Sequence, residues 1–197
     1  MKRIAFLAGA GLGLALLAGS CATSRAGYES AAYSVAKSDG AFQIREYPQL
    51  TVVATAMDPA RTERDDRFMR LFRYIDGNNA ASQKIAMTTP VFMTGENAAA
   101  GPAKMAFVVP AAVATAGAPA PKAENVAVES VPARRVAVVR FAGVANRKLE
   151  ADQLAKLRTW MEAQKLEAAG EPFAAYYDPP WTPGPLRRNE VLVPIKP

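Results

Sequence analysis

The side chains that most often carry enzyme chemistry are scarce in this sequence. The chain contains no histidine, and Cys21 is its only cysteine. Ser-His-Asp and Cys-His nucleophiles are therefore excluded, as are zinc sites that need a histidine ligand. No glycine-rich phosphate loop follows a predicted strand, and the adjacent carboxylates of Asp65 and Asp66 are typical of a helix N-terminus, where they favour the helix dipole. The sequence therefore predicts a binding protein and not an enzyme.

A ligand-binding surface is instead indicated by the stretch from Asp66 to Thr94. Its first part places apolar side chains at i, i+3, i+4 and i+7, in Phe68, Leu71, Phe72 and Ile75. This spacing predicts a helix with one apolar stripe.

Arginines lie between these apolar positions and give the predicted helix a cationic flank, formed by Arg67, Arg70 and Arg73. Gly77 is placed to end the helix, because glycine tolerates the left-handed backbone that closes one. A strand is predicted next, from Lys84 to Met93. An apolar and cationic helix that runs into a strand is suited to line a pocket for a flat, apolar, anionic ligand.

Most of the remaining chain predicts strands. They are Tyr33–Ala36, Phe42–Tyr47, Leu50–Met57, Lys104–Pro110, Val126–Val131, Arg135–Phe141, Phe173–Tyr177 and Asn189–Ile195. A second, longer helix is predicted from Lys148 to Ala169, with Gly170 placed to end it. The segment from Ala111 to Lys122, largely Ala, Val, Pro, Gly and Thr, predicts a surface loop.

The same order of elements is predicted twice. Pro48 and Pro132 are separated by the same number of positions as Pro110 and Pro194, and each half runs strand, proline, strand, helix, strand, proline, strand. This order indicates a degenerate internal repeat. The predicted fold class is α+β, a distorted antiparallel β-barrel from two pseudo-repeats, each with a flanking α-helix.

The N-terminus has the features of an export signal. A basic start, Met1-Lys2-Arg3, precedes Ile4–Ala18, an apolar run too short for a comfortable membrane span. The residues before Cys21 resemble a bacterial lipoprotein signal, so residues 1–20 are predicted as a signal peptide and Cys21 as the lipidation site. The alternative is ordinary cleavage nearby, which would leave a free thiol in a flexible tail.

The predicted domain follows a tether at residues 21–30 and occupies residues 31–197. The expected location is the cell envelope, with the lipid anchoring the protein to a membrane on the periplasmic side. Ala22 after the cysteine is compatible with the outer membrane.

The chain carries a formal net charge of +6 that is spread along its length, without a run of Lys and Arg. This distribution predicts solvated surface charge and no nucleic-acid partner. The expected partners are a small hydrophobic anionic ligand and the membrane through the N-terminal lipid, and the protein is predicted to be a monomer.

Three stretches of the chain resemble the SOUL family, also called the haem-binding protein family. They are Phe42–Pro48 (FQIREYP), Arg70–Pro90 (RLFRYIDGNN through KIAMTTP) and Tyr177–Val193 (YDPPWTPGPLRRNEVLV). They occur in the order found in the family, and the resemblance runs from about Tyr33 to Ile195, nearly the whole chain after the leader. The resemblance implies the same two-repeat barrel.

The resemblance also implies a ligand, haem or a related tetrapyrrole, held between apolar side chains of the first helix and a nearby loop. It places Phe68, Leu71 and Phe72 against the ring face and pairs Arg73 with a propionate, to which a guanidinium binds bidentately. It brings Tyr177 to the ring from the second half. Because the chain has no histidine, none is available as an axial ligand, and no metal ligand is assigned.

Several of these residues have a purely structural interpretation. Phe68 and Ile75 are what any helix needs to pack on a sheet, and Met69 is typical of core filling as well as of a soft pocket wall. Arg73 is also typical of a solvated flank. Arg187–Glu190 predicts either a structural network or a ligand contact.

Two other functions remain open beside the tetrapyrrole carrier, buffer or sensor. One is an envelope structural or interaction protein whose barrel has no open pocket. The other is a hydrolase-like barrel that acts on a small hydrophobic substrate through a carboxylate in its pocket. Glu46 is the nearest candidate for an inward-facing glutamate, and the absence of histidine weighs against this third function.

Overall fold

The structure is a computed structural model that describes residues 27–57, 66–95 and 103–197. The predicted signal peptide, Cys21 and most of the tether lie outside the described residues. The strands are β1 (Glu29–Ser30), β2 (Ser34–Asp39), β3 (Phe42–Tyr47), β4 (Leu50–Ala56), β5 (Thr88–Thr89), β6 (Val91–Thr94), β7 (Lys104–Val108), β8 (Ala127–Val131), β9 (Arg134–Phe141), β10 (Phe173–Tyr176) and β11 (Asn189–Pro194). The helices are α1 (Arg67–Ile75), α2 (Ala111–Ala116) and α3 (Arg147–Ala163), with a 3-10 turn at Gly184–Leu186.

The described strands form one curled, antiparallel sheet of nine, in the order β2-β3-β9-β11-β10-β6-β7-β4-β8, and a small parallel pair of β1 and β5. The first repeat contains β3, β4, α1, β6 and β7, and the second contains β8, β9, α3, β10 and β11. Strands β6 and β10 join the repeats at the middle of the sheet. The first strand of each repeat pairs with a strand of the other repeat. Strand β3 of the first repeat pairs with β9 of the second, and β8 of the second repeat pairs with β4 of the first. The structure confirms the predicted α+β fold of two pseudo-repeats.

Side chains alternate between two faces of the sheet, as they must along an extended backbone. The inner face carries one apolar cluster, which includes Val52, Val136, Val138 and Leu192. The opposite face, called here the helical face, carries two clusters, one under each long helix. All three clusters lie between Ala31 and Ile195, so a chain that begins at Ala22 contains the complete core.

Helix α3 packs Leu157, Trp160 and Met161 on the helical face, against residues such as Val139 and Val191. The sequence predicted that this helix continues to Ala169, but it ends at Ala163. The reason is that Lys165 adopts a left-handed backbone with φ of 56°, which closes the helix before Gly170 is reached.

The predicted strand from Lys84 to Met93 is wrong over its first part, which is an irregular loop before β5. Asn79 organises this loop: its amide donates to the carbonyls of Tyr74 and Gln83 at 3.0 and 2.7 Å and accepts from the Gln83 N–H at 3.0 Å. Within the predicted strand, the N–H of Ile85 donates to the carbonyl of Ile75 at 2.8 Å, so this group pairs with the end of α1 and not with a neighbouring strand.

The segment predicted as a loop after β7 begins with the short helix α2. Its run of alanines favours a helix, and the carboxylate of Glu29 accepts the otherwise unpaired N–H of Ala111 at 2.9 Å. Gly117, with φ of 92°, follows the helix end. Across the described ranges, none of the helices combines the length and the apolar character needed to span a membrane.

Candidate functional site on helix α1

Helix α1 buries a different set of side chains from the apolar stripe that the sequence predicts. Its buried side contains Leu71, Tyr74 and Ile75 together with two arginines, Arg67 and Arg70. The predicted apolar stripe is therefore divided between the core and the solvent, and the cationic flank is wrong for the two buried arginines.

Arg70 explains much of this orientation. Its guanidinium donates to the carbonyl of Ala56, the last residue of β4, at 2.8 Å and lies 3.3 Å from the carboxylate of Asp66. A buried guanidinium needs such partners, because an unpaired buried charge is costly. The first turns of α1 are thus fixed to the end of a strand by a polar contact, and the helix side that turns to solvent is the one with the phenylalanines.

Two phenylalanines of α1 consequently lie at the surface. Phe68 is 43% exposed and Phe72 is 40% exposed. Their rings are stacked, with centroids 6.1 Å apart and planes inclined by only 14°. The edge of Phe107, on β7, supports Phe68 from below, at 5.3 Å between centroids and 63° between planes. Together with the exposed Met69, Phe68 and Phe72 form an apolar surface, called here the α1 aromatic face.

Arg73 borders the α1 aromatic face. It lies four residues after Met69, so these two side chains are neighbours on the helix surface. Arg73 is exposed, and within the described ranges no acidic side chain forms an ion pair with it. A guanidinium beside an aromatic apolar surface fits a ligand that combines an aromatic ring with a carboxylate.

The structure separates the other two predicted site residues from this face. Leu71 is fully buried beneath α1, in the cluster on the helical face. Tyr177 is buried on the inner face of the sheet, in a different cluster. The structure therefore brings together Phe68, Phe72 and Arg73, whereas Leu71 lies behind them and Tyr177 on the other side of the sheet.

Tyr177 belongs instead to a buried polar network on the inner face. Its hydroxyl donates to the carboxylate of Glu190 at 2.9 Å. Arg45 donates to both oxygens of that carboxylate, at 2.7 and 2.8 Å, and Arg188 donates to one of them at 2.6 and 2.9 Å. Arg45 also lies over the ring of Tyr33, at 4.2 Å from its centroid. We call Arg45, Glu190, Arg188 and Tyr177 the inner network.

Burial and neighbouring charges shift the pKa values of Glu190, Arg45 and Arg188 in opposite directions. Burial by itself raises the pKa of Glu190, but hydrogen bonds and charge from Arg45 and Arg188 hold that pKa below its ordinary value. Burial also opposes the charge on both arginines, yet Glu190 raises their pKa above the usual value. Tyr47, beside them, has its pKa raised by burial to about 12. All of these groups keep their usual charge at neutral pH.

The inner network resolves the alternatives left open for the last strand. Arg188 and Glu190 are structural partners, and Asn189 donates to the carbonyl of Gly143 at 2.9 Å. The expectation that Glu46 is the nearest inward-facing glutamate is wrong, because Glu46 is exposed whereas Glu190 is buried on the inner face. Its signal in the sequence is weak: Glu190 shares its face with Leu192, but β11 is buried on both faces, so alternation does not distinguish one face from the other.

A small cavity lies away from α1, under the start of α3. It is a cleft of about 70 Å³, bordered by Arg147, Glu150, Leu154, Met93 and Phe173 among others. Pockets for drug-sized ligands usually measure about 300–1,000 Å³, so this cleft is too small for a tetrapyrrole. Among the described residues, no group of three or more acidic, histidine or cysteine side chains could hold a metal ion.

The fold and the surface together define a two-repeat α+β barrel that presents an aromatic and cationic helix face. The chain belongs to the SOUL heme-binding protein family, whose sequence profile matches residues 28–194.

Solved structures share the fold at low sequence identity. The C-terminal domain of EcmrR has a TM-score of 0.56 and 13% identity, and the match covers 79% of this chain and 96% of that domain. A hydrolase from Listeria innocua has a TM-score of 0.54 and 10% identity, with coverage of 82% and 94%. These similarities concern the fold alone. A search of curated protein sequences found no match.

Proposed function

We propose that this protein binds haem or a related tetrapyrrole on the α1 aromatic face and acts as a carrier, buffer or sensor without turnover. The observation that carries the proposal is the exposure of two stacked, nearly parallel phenylalanine rings on a helix that buries two arginines. Packing alone favours the opposite arrangement, because burying a phenylalanine stabilises the fold by roughly 1.5–3 kcal/mol relative to leaving it exposed.

Each residue of the α1 aromatic face has a distinct part in this proposal. Phe68 and Phe72 contact the face of the ring, and Met69 extends the apolar contact. Arg73 pairs with a propionate. Leu71 acts indirectly, since its burial fixes the side of α1 that faces the solvent. Tyr177 has a structural part in the inner network, away from the ligand.

Binding on this face does not depend on a histidine, because the chain has none. Haem would supply a flat apolar ring, two propionates and an iron, and the α1 aromatic face is suited to the ring and the propionates. We therefore expect the iron-free ring to bind as well as haem does.

The proposed location is the cell envelope, with a lipid on Cys21 anchoring the protein to a membrane on the periplasmic side. Its basis is the signal-like sequence before that cysteine. Labelling of cells with a radioactive fatty acid tests it. The full chain should be labelled and recovered with membranes, and the Cys21→Ser variant should lose the label; an unlabelled full chain would refute lipidation.

A hydrolase-like function has one structural argument in its favour, the buried carboxylate of Glu190. The same structure argues against its use as a base or nucleophile, because two arginines and a tyrosine already occupy both of its oxygens. A carboxylate held in this way is a poor proton acceptor, since its pKa is lowered.

A titration of the chain from Ala22 onward tests the ligand proposal, with haemin and iron-free protoporphyrin followed by absorbance. We expect saturable one-to-one binding of both, weakened about tenfold or more by Phe72→Ala, because the contact of one aromatic ring with the ligand is lost. Val35→Ala is the matched control, since Val35 is a similarly exposed apolar residue on β2.

Two outcomes would contradict the proposal in different ways. Binding of haemin alone would show that iron coordination, by a tyrosine or methionine, carries the affinity. Failure of both ligands to saturate would leave the fold and favour the interaction protein that recognises partners through its surface.

A further inference from the structure

A second exposed apolar surface lies away from α1, on the loop that joins β10 to β11. Trp181 in this loop is 82% exposed and Leu186 is 65% exposed. Val144, from the connection between β9 and α3, is 58% exposed. We call residues 178–188 the Trp181 loop.

The connection that carries Val144 is fixed to the Trp181 loop. The N–H of Gly143 donates to the carbonyl of Gly184 at 3.0 Å. A β-carbon at Gly184 would lie 3.2 Å from a methyl carbon of Val144, so glycine permits this close approach. Val144 and the Trp181 loop therefore form one surface.

The Trp181 loop holds its tryptophan outward by hydrogen bonds of its own. The guanidinium of Arg187 donates to the carbonyl of Thr182 at 2.7 Å and to the carbonyl of Pro180. These two carbonyls flank Trp181 on either side, and the N–H of Thr182 donates to Pro179 at 3.0 Å. The exposure of this large apolar side chain is therefore a property of an ordered turn.

Basic side chains border this surface. Arg187 lies within the loop, Arg147 and Lys148 begin α3 three residues after Val144, and Arg140 is exposed near the end of β9. Lys148 forms an ion pair with Asp152 at 2.8 Å. Asp178 in the loop and Glu150 in the first turn of α3 are acidic, so the four basic side chains exceed the acidic ones here by one. The surface thus combines a tryptophan and two aliphatic side chains with a small excess of positive charge.

We propose that the Trp181 loop inserts into the interface of a lipid bilayer that contains anionic lipids. Tryptophan prefers the interface between headgroups and acyl chains, and basic side chains near a membrane are attracted to anionic headgroups. A protein partner fits less well, because three side chains offer far less apolar area than the roughly 800 Å² that each partner of a stable complex buries.

The position of the N-terminal segment agrees with this orientation. Arg188, at the base of the loop, donates to the hydroxyl of Tyr33 at 3.1 Å. The start of the described chain thus meets the same end of the sheet as the Trp181 loop. A lipid on Cys21 would hold this end near a membrane, but the loop contact does not require it.

Vesicle binding by the unlipidated chain from Ala22 onward tests the proposal. Vesicles of phosphatidylcholine are compared with vesicles that also contain phosphatidylglycerol. We expect binding to the anionic vesicles that weakens as salt is added. The chain has two tryptophans, so a Trp160→Phe background assigns the emission to Trp181, which should shift to the blue on binding.

The paired variants separate this surface from the ligand site. Trp181→Ala with Leu186→Ala should lower the partition coefficient about tenfold or more, whereas Phe72→Ala should leave it unchanged. Both changes are at exposed positions, so the thermal unfolding midpoint should stay constant. Equal partitioning of the Trp181 variant, a loss caused by Phe72→Ala, or no binding of the parent protein to either vesicle would overturn the proposal. None of these outcomes alters the haemin titration.

Discussion

The two long helices cover equivalent parts of the two repeats but treat their aromatic side chains differently. On α3, Trp160 is buried: its ring stacks on Phe42 with centroids 5.3 Å apart, and its N–H donates to Asp39 at 2.8 Å. The β2–β3 hairpin thus covers the aromatic residue of α3. The described residues provide no such cover on α1, where Phe68 and Phe72 remain exposed. One helix completes the core, and the other has aromatic surface left for a ligand.

The two repeats also differ at the positions that are equivalent to the inner network. By the spacing of the repeat, Glu129 is equivalent to Arg45, Lys104 to Arg188 and Ala106 to Glu190. Lys104 and Glu129 form a single ion pair at 3.0 Å that is partly exposed to solvent. Both sites combine residues of the two repeats, but only the inner network buries a carboxylate between two arginines and carries the electrostatic cost of burial.

The largest expected effect separates these two ion-pair sites. Glu190→Gln leaves Arg45 and Arg188 buried without a negative partner, which should lower the free energy of unfolding by about 3–5 kcal/mol. Glu129→Gln removes only a partly exposed pair and should cost less than about 1 kcal/mol. Urea unfolding of both variants measures the difference, and equal losses would show that the two sites contribute equally to stability.

The comparison of the helices predicts a second contrast. Trp160→Ala should lower the free energy of unfolding by about 3 kcal/mol or more, because it leaves a cavity under α3. Phe72→Ala should change it by about 0.5 kcal/mol or less, because that ring is at the surface. Thermal unfolding of the two variants tests this pair. A large destabilisation by Phe72→Ala would identify it as a packing residue.

The inner network should make the free energy of unfolding depend on pH in the acidic range. The folded protein lowers the pKa of Glu190, so the stability that this group contributes is fully present above its unfolded pKa of about 4.3 and is lost as the pH falls through the lowered folded pKa. The free energy of unfolding should therefore fall more steeply below about pH 4.3 in the parent protein than in Glu190→Gln. Parallel pH curves would rule out the network as the source of this dependence.

The smallest expected effect concerns the border of the ligand face. Arg73→Gln keeps a polar side chain but removes the charge, and it should weaken haemin binding about two- to fivefold, because exposed ion pairs contribute about 1 kcal/mol or less. The loss should shrink as salt is added. Arg135→Gln, at a partly exposed arginine of the second repeat, is the control, and an equal loss there would indicate a general effect of charge.

The order of elements could be predicted from the sequence because hydrophobic period, prolines and glycines act locally. The strands on both sides of Pro48 and Pro132, and the end of α1 before Gly77, follow from such signals. Long-range contacts could not be predicted in the same way. The rotation of α1 depends on Arg70 reaching Ala56, and the burial of Glu190 depends on Arg45, far away in sequence.

The dependence on long-range contacts also explains why the ligand site was predicted only in part. The sequence predicted that Phe68, Leu71 and Phe72 share one apolar stripe that faces the ligand, yet the structure exposes the two rings and buries Leu71. Tyr177 was assigned through the family resemblance, and only the pairing of β10 with β11 shows that it contacts Glu190 on the inner face.

The most direct test of ligand binding on α1 is an NMR titration of the chain from Ala22 onward, labelled at its methionine methyl groups, with iron-free protoporphyrin. Met69 lies on the α1 aromatic face, Met93 borders the small cleft under α3, and Met161 is buried beneath α3. The ring current of the porphyrin should shift the Met69 signal strongly and leave the signals of Met93 and Met161 in place. A shift of Met93 or Met161 with Met69 unmoved would contradict the account and assign the ligand to the region under α3.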